Sequence, residues 1–369
     1  MKLSLQREHL LRPLTLVAGV VERRGSLPVL NNLLFEVSET SLKLTGSDLE
    51  VELQAEVTPL QVIKTGNVTV PAKKLLDICK SLPEQAELTL ELEEQRLLIR
   101  SGRSRFTLTT LPAEDFPKVK DADFDSSFGL PQARLKYLIE HTAFAMAQQD
   151  VRYYLNGMFL ELDGNTLRTV TTDGHRLALC AQPLDTQVQE ERSGVIIPRK
   201  GVIELSRLLE ETETPVTLAL GRTHMRAQLN DYLFTSKLVD GKFPDYERVI
   251  PRNGQNVMQG ERQALKQVFN RTAILSNEKY RGVRLILSSN HLQVLANNPE
   301  QEEAEEQVSV DYHGSALEIC FNVSYLLDIL NALDSEHVEI ALSDSNSSAL
   351  IQDAGGGAAQ YVVMPMRLS

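Results

Sequence analysis

Apolar residues recur at helical spacing in three stretches that share one pattern: VPAKKLLDICKSL, IPRKGVIELSRLL and FNVSYLLDILNAL. Pro71 and Pro198 stand at the start of two of them, where the missing N–H of proline would have no partner inside a helix. Asn322 starts the third, and an asparagine side chain can cap a helix. The offsets of 127 and 124 residues (198 − 71 and 322 − 198) predict a unit repeated three times, each with a short amphipathic helix.

Alternating apolar and polar residues between the predicted helices indicate antiparallel strands. Residues 31–57 alternate on both sides of a turn at 39–41, and further strands are predicted at 86–92, 95–101 and 103–110. These features return twice, about 125 residues apart. They predict an α+β protein of three similar domains, each with an antiparallel sheet and two helices on one face: residues 1–125, 126–254 and 255–369. Periodicity leaves open whether the array is open or closed.

The composition indicates a globular protein, with 42% hydrophobic residues and no apolar run near the roughly 20 residues that a membrane span needs. The first 14 residues lack the apolar segment of a signal peptide, so a cytoplasmic chain is expected. Cys79, Cys180 and Cys320 form no CxxC pair and show no zinc-binding spacing. We therefore expect reduced, buried thiols and neither a metal nor a cofactor.

The formal net charge of −12 argues against a nucleic-acid partner, because phosphate contacts need a basic surface. The first two copies of the repeated helix nevertheless concentrate positive residues: Lys73, Lys74, Lys80, Arg199, Lys200 and Arg207. If all helices line one surface, that surface is basic and suits DNA although the molecule is acidic. Alternatively, these residues form the ordinary polar faces of surface helices.

The sequence contains none of the motifs GxxxxGK[ST], GxGxxG, HExxH or GxSxG. The strongest catalytic candidate is the run Thr172–Asp173–Gly174–His175–Arg176, where an acid and a histidine stand two positions apart. Asp-Gly is, however, a tight-turn dipeptide between alternating strands. A turn is the preferred interpretation, and no enzyme activity is expected.

An acidic run occupies residues 300–306. A solvated loop is the default interpretation, and a metal site is disfavoured because contiguous residues seldom converge on one ion. The third possibility is an electrostatic interface, because the last strands of the first repeat carry Arg96, Arg100, Arg103 and Arg105. Opposite charges near the two ends of one chain suit a head-to-tail contact, which makes a ring when it closes.

Several segments closely resemble the bacterial beta sliding clamp family, the beta subunits of DNA polymerase III. They are QDVRYYLNGM at 149–158, TDGHRLA at 172–178, PRKGVIEL at 198–205, SKLVDGKFPDY at 236–246, ILSNEKYRGVRL at 274–285, NNPEQEEAEE at 297–306 and the terminal YVVMPMRL. The resemblance covers the whole chain. It implies a head-to-tail homodimer whose six domains form a closed ring, with helices inside and antiparallel sheets outside.

The resemblance also implies a function in DNA replication. The ring would encircle double-stranded DNA without sequence specificity and act as a processivity factor of the DNA polymerase III holoenzyme. Its implied partners are the replicative polymerase alpha subunit, the clamp loader complex, and other polymerases and repair proteins that carry short clamp-binding motifs. It would be neither an enzyme nor a membrane protein.

Three sets of site residues follow from the resemblance. The DNA-binding set is Arg24, Lys73, Gln149, Arg152, Tyr153, Tyr154, Arg199 and Lys200. The partner-peptide groove is Leu155, Thr172, Gly174, His175, Arg176, Leu177, Pro244, Arg248, Val249, Ser348, Val362, Met364, Pro365, Met366 and Arg367. The dimer interface is Lys74, Arg96, Arg103, Arg105, Phe106, Leu108, Ile274, Leu275, Glu300, Glu302, Glu303, Glu305 and Glu306. The chain departs from the family pattern by Ser369 after the usual terminal leucine, and by Lys73 where some relatives carry arginine.

Overall fold

The computed structural model describes residues 1–22, 26–119, 122–188 and 191–367. The α-helices in these ranges are α1 (Arg7–Val20), α2 (Ala72–Ser81), α3 (Gln132–Glu140), α4 (Arg199–Leu208), α5 (Arg262–Ala273) and α6 (Val323–Ala332). The three repeated stretches form α2, α4 and α6, and each helix begins directly after Pro71, Pro198 or Asn322. The Asn322 side chain caps α6 by accepting the N–H of Ser324 at 2.9 Å, as its residue type predicts.

The β-strands are distributed over all three repeats. The first repeat contains β1 (Lys2–Gln6), β2 (Asn32–Val37), β3 (Leu42–Ser47), β4 (Val51–Val57), β5 (Gln61–Lys64), β6 (Gly66–Pro71), β7 (Glu87–Glu93), β8 (Arg96–Ser101) and β9 (Ser104–Thr109). The second contains β10 (Ser126–Pro131), β11 (Gly157–Asp163), β12 (Thr166–Thr172), β13 (Arg176–Pro183), β14 (Ser193–Pro198), β15 (Pro215–Leu220), β16 (His224–Leu229) and β17 (Tyr232–Lys237). The third contains β18 (Asn256–Glu261), β19 (Gly282–Ser288), β20 (His291–Asn297), β21 (Glu303–Ser309), β22 (Asp311–Tyr312), β23 (Leu317–Asn322), β24 (His337–Leu342), β25 (Ala349–Asp353) and β26 (Ala359–Val363).

The chain folds into two compact units. The first unit comprises Met1–Leu135 and Lys200–Val239, and the second comprises Lys136–Arg199 and Asp240–Ser369. The second predicted repeat therefore contributes to both units.

The first unit contains two antiparallel sheets, in the strand orders β5-β1-β7-β8-β9 and β10-β15-β16-β17-β4-β3-β2-β6. Strand β17 of the second repeat pairs with β4 of the first, so the larger sheet continues from one repeat into the next. Helix α1 packs on β3 and β4 through Leu10, Leu14 and Val17, which share one face at a spacing of four and three residues.

The second unit also contains two antiparallel sheets, in the orders β14-β11-β12-β13-β26-β25-β24-β18-β22 and β21-β20-β19-β23. Its larger sheet continues from the second repeat into the third through the pairing of β13 with β26. Helix α5 buries Leu265, Val268 and Phe269 and packs on α6, β20 and β21. Each unit therefore joins consecutive repeats by backbone hydrogen bonds.

The acidic run differs from the expected solvated loop. Its second half forms strand β21, which is an edge of the four-stranded sheet. Exposed Glu303 and Glu305 alternate with half-buried Ala304 and Glu306, which is the two-residue period of a strand. The high charge of the run hides this alternation in the sequence. Among the described residues, no group of three or more His, Cys, Asp or Glu side chains is placed to hold a metal ion.

Among the helices of the described residues, α1 is the longest, with 14 residues. No helix in the described ranges is long and apolar enough to cross a membrane.

Candidate functional site

The seam between β13 and β26 brings together two segments of the predicted peptide groove that lie far apart in the sequence. In the register of this strand pair, Arg176 lies opposite Val363 and Leu177 lies opposite Val362. The N–H of Met364 then donates to the carbonyl of His175 at 3.0 Å, which extends the pairing beyond β26. The turn before β13 and the residues after β26 are therefore neighbours at one end of the nine-stranded sheet.

The turn before β13 is held by its own side chains. The Thr172 hydroxyl donates to the carbonyl of Arg176 at 2.6 Å and accepts the N–H of Gly174 at 3.1 Å. The Asp173 carboxylate accepts the N–H groups of His175 and Arg176 at 2.9 and 3.1 Å. These bonds make residues 172–176 a structural turn in which backbone N–H groups engage the Asp173 carboxylate.

Gly174 is needed at this turn because of its backbone conformation, since its φ of +90° is one that residues with a side chain rarely adopt. The Arg152 guanidinium lies close to Gly174: an added Cβ would be 2.9 Å from its Nη2, the end of a flexible side chain that can move aside. The predicted DNA-binding segment that carries Arg152 therefore packs directly against the predicted groove.

Arg176 is turned inward, with a side chain that is only 11% exposed. Its guanidinium binds the carboxylates of Asp173 (3.3 Å) and Asp328 (2.6 Å), and donates to the carbonyl of Phe144 at 3.0 Å. It also lies over the ring of Tyr325, 4.4 Å from the centroid. Arg176 therefore ties β13 to α6 beneath the predicted groove. Asp328 and Tyr325 are not in the predicted groove, although Asp328 is the acid that recurs in each copy of the repeated helix.

The other predicted groove residues range from buried to exposed. Leu155, Leu177 and Val362 are buried, whereas Met364 and Val249 are 48% and 46% exposed. Pro244, His175 and Arg248 are also exposed, while Ser348, Pro365 and Met366 are half-buried. Arg367 is exposed, and the N–H of Met366 donates to the carbonyl of Cys320 at 2.7 Å. The exposed apolar side chains are those that a bound peptide would cover.

The predicted DNA-binding residues of the first unit differ in their contacts with the rest of the protein. Lys73 is exposed on α2. The ammonium group of Lys200 instead binds the Asp48 carboxylate and donates to the carbonyl of Val20 at 2.9 Å. Lys200 therefore stabilises the first unit before any DNA contact. Arg24 lies outside the described residues.

Five predicted DNA-binding residues lie in the second unit. Gln149 and Tyr153 are exposed, and Gln149 has a φ of +56°. Tyr154 meets Tyr153 edge to face, and Arg199 donates to the carbonyl of Met146 at 3.5 Å. Arg152 binds both oxygens of Asp150 at 3.0 and 2.9 Å. These hydrogen bonds lower the pKa of Asp150 to about 2, so the carboxylate stays ionised and holds the arginine in place.

The predicted dimer-interface residues lie on or beside two edge strands of opposite charge. Arg105 is exposed on β9, with Arg96 on β8 and Arg103 in the turn between them, and Phe106 and Leu108 are more buried. Lys74 is exposed on α2. In the part of the chain that the structure describes, Arg96, Arg103 and Arg105 form no ion pair.

The acidic edge is β21. Glu303 and Glu305 are exposed on it, Glu300 and Glu302 precede it, and Glu306 binds Arg271. Ile274 follows α5 and is 76% exposed, next to half-buried Leu275. Both edge strands leave backbone N–H and C=O groups unpaired on one side.

Comparison with known proteins decides the family. Models of the DNA polymerase III beta subunit match the chain three times: the N-terminal domain at residues 1–120, the central domain at 129–245 and the C-terminal domain at 247–367. The chain belongs to the DNA polymerase III beta subunit family. It is 60% identical over 368 residues to the beta sliding clamp of Pseudomonas putida and 55% identical to that of Escherichia coli K12, with 100% of each chain covered.

Solved structures of family members agree. A DnaN sliding clamp from Pseudomonas aeruginosa bound to griselimycin is 58% identical with a TM-score of 0.97, and one from Bartonella birtlesii bound to the same compound is 38% identical with a TM-score of 0.94. Both comparisons cover 100% of each chain. These matches confirm the resemblance seen in the sequence and the predicted α+β fold of three similar clamp domains. The domain boundaries and the three sets of site residues stay predictions.

Proposed function

We propose that two copies of this chain close head to tail into a ring that encircles duplex DNA and tethers the replicative polymerase to it. The observation that carries this proposal is the pair of oppositely charged edge strands, β9 and β21. Pairing β9 of one copy with β21 of the next satisfies the free backbone groups of both edges. Two such contacts related by a two-fold axis close the ring.

Charge and apolar contacts both favour this pairing over its alternatives. Arg96, Arg103 and Arg105 would face the glutamates around β21, whereas two β9 edges or two β21 edges would oppose like charges. Half-buried Phe106 supplies apolar surface on one side, with buried Leu108 beneath it, and Ile274 and Leu275 supply apolar surface on the other. An interface with an apolar centre and a charged rim results.

DNA would be held by a few contacts to phosphates and none to bases, so that the ring can slide. Exposed Lys73, Gln149 and Tyr153 are available for such contacts, whereas Arg152 and Lys200 already have acidic partners. Because each of these two ion pairs is net neutral, Arg152 and Lys200 would bind phosphates more weakly than Lys73 does.

The partners would bind through a short peptide in the groove at the β13–β26 seam. Met364 and Val249 offer exposed apolar surface, and methionine adapts to side chains of different shape. We propose the polymerase alpha subunit, the clamp loader, and other polymerases and repair proteins as these partners, in the cytoplasm. Tethering would raise the polymerase's effective concentration at the primer and would need no enzymatic step.

The test is topological. The protein is loaded onto nicked circular DNA by a clamp loader, the circle is then cut, and the protein that stays on the DNA is measured. An encircling ring stays on circles and is lost from linear DNA. Equal retention on both forms would mean ordinary surface binding and would refute the ring. A monomeric mass at micromolar concentration would instead favour an open scaffold.

A further inference from the structure

The outer part of the predicted groove, residues 244–249, has little local structure to hold it. It contains one 3₁₀ turn at Tyr246–Arg248, whose only local backbone bonds are from Arg248 N–H to the carbonyl of Asp245 (3.4 Å) and from Val249 N–H to the carbonyl of Tyr246 (3.0 Å). A single turn is not stable by itself, because it fixes several residues for few hydrogen bonds. The exposed side chains of Pro244, Arg248 and Val249 therefore need an anchor elsewhere.

The polar anchor is Glu161 on β11. Its carboxylate is buried and accepts the Tyr246 hydroxyl at 2.7 Å, Nη1 of Arg168 at 2.6 Å and Nη2 of Arg192 at 2.9 Å. Arg192 reaches the second oxygen through Nε at 2.8 Å and also binds Glu247 at 2.9 Å. One buried carboxylate thus holds the first residue of the 3₁₀ turn, Tyr246, by a charge-assisted hydrogen bond, which is the strong kind.

An aromatic stack anchors the start of the same segment. Buried Phe243 stacks on Phe159 with ring centroids 4.9 Å apart and an angle of 5° between the planes. Phe159 lies two positions before Glu161 on β11, so both side chains point to one face of the sheet. Gly194 on β14 leaves room for the Phe159 ring, because a Cβ at position 194 would lie 2.4 Å from atoms of that ring.

The anchor lies beside the strand that leads to the predicted groove turn. Glu161 lies opposite Arg168 in the pairing of β11 with β12, and β12 ends four residues later at Thr172, where the groove turn begins. The network therefore fixes the segment 244–249 to the same piece of sheet that carries the turn.

Electrostatics keeps the network ionised. Burial by itself would raise the pKa of Glu161, but hydrogen bonds from Arg192, Tyr246 and Arg168 outweigh it and lower this pKa below its ordinary value. Burial and the bond to Glu161 raise the pKa of Tyr246 to about 12, so its hydroxyl remains a donor.

We propose that Glu161 is a positioning residue for partner binding, which it supports by holding the wall formed by Pro244, Arg248 and Val249 without touching the ligand. The inference rests on the proposed peptide groove. It adds that affinity at the groove depends on a carboxylate behind it.

The test measures griselimycin binding by calorimetry on the full-length protein, well below its unfolding temperature. Glu161→Gln keeps the shape of the side chain and removes its charge, and we expect it to raise the dissociation constant about tenfold, the effect of losing a charge-assisted hydrogen bond. Tyr246→Phe should raise it about threefold, and the double variant should be no weaker than Glu161→Gln, because both changes break one network. In methyl NMR of the free protein, the Val249 signals should move and those of Leu10 should not.

The matched control is Glu204→Gln. Glu204 is also a buried carboxylate with an arginine partner, Arg207 at 3.0 Å, but it lies in the first unit, which contains no groove residue. Its variant should bind griselimycin within about twofold of the original chain. If Glu161→Gln does not fold, Arg192→Gln serves instead, because that side chain is partly exposed.

Three outcomes are decisive. A large loss of affinity in Glu161→Gln with none in Glu204→Gln supports the proposal. Unchanged affinity in Glu161→Gln with a lowered unfolding temperature would mean that the network has only a structural role, and it would overturn the proposal. No binding by the original chain overturns the peptide groove itself and the inference with it.

Discussion

Replacing Ile274 by alanine gives the sharpest test of the proposed ring. The side chain is 76% exposed in the single chain, so its truncation costs the fold little, and it is newly buried only when the second copy docks. The change removes three carbons, and the burial of each is worth about 0.8 kcal/mol. Because about three quarters of the side chain becomes buried only on docking, the expected loss is about 1.8 kcal/mol per interface. A closed ring has two interfaces, which gives about 3.6 kcal/mol and a dimer dissociation constant about 400-fold higher.

Sedimentation velocity over a dilution series from micromolar to nanomolar concentration measures this constant. Ile63→Ala is the matched control, since Ile63 is 58% exposed on β5, the opposite edge of the sheet that ends in β9. We expect no change in its dissociation constant. A shift below threefold for Ile274→Ala, or an equal shift in the control, would show that Ile274 lies outside the interface.

Two further predictions concern stability. Burial raises the pKa of Glu52, so the folded state binds the carboxyl proton of Glu52 more tightly than the unfolded state does. Protonated Glu52 therefore stabilises the fold at low pH, and this stability is lost as pH rises through the pKa of the folded state. Glu52→Gln should therefore raise the urea midpoint relative to the original chain at pH 8 and show little difference at pH 4; a difference independent of pH would contradict the assignment. Leu49 has a φ of +77°, and the equivalent position in the next repeat, 125 residues later, is Gly174. Leu49→Gly should therefore stabilise the fold by about 0.5 kcal/mol in urea unfolding. A loss of stability would mean that the leucine side chain contributes more than its backbone strain costs.

Local patterns in the sequence predicted local structure well. The helix starts at Pro71, Pro198 and Asn322 were visible because proline and asparagine have specific roles at helix N-termini. Strands β7, β8 and β9 lie within one residue of their predicted ranges, because each alternates strictly between buried and exposed positions or is bounded by a turn. The family resemblance added the groove and interface residues, which no periodicity identifies.

Long-range pairing could not be predicted from these patterns. Nothing in the alternation of β4 or β13 shows that their partners are β17 and β26, because register and partner choice depend on residues far away in the chain. The inward orientation of Arg176 was hidden for the same reason, since Asp328 stands 152 residues later. Charge alone predicts a surface position, whereas Arg176 and Glu161 are held inside the fold by partners elsewhere in the chain, Asp328 and Arg192.

The two seams between repeats also set an order of folding during synthesis. Strand β4 ends at Val57, but its partner β17 starts only at Tyr232. Strand β13 ends at Pro183, and its partner β26 starts only at Ala359. At ribosomal speeds of about 5–20 residues per second, each seam strand stays open for roughly ten seconds or more. A nascent chain of this family therefore carries a strand with one open edge for much of its synthesis, a period in which a chaperone or a neighbouring nascent chain competes for that edge.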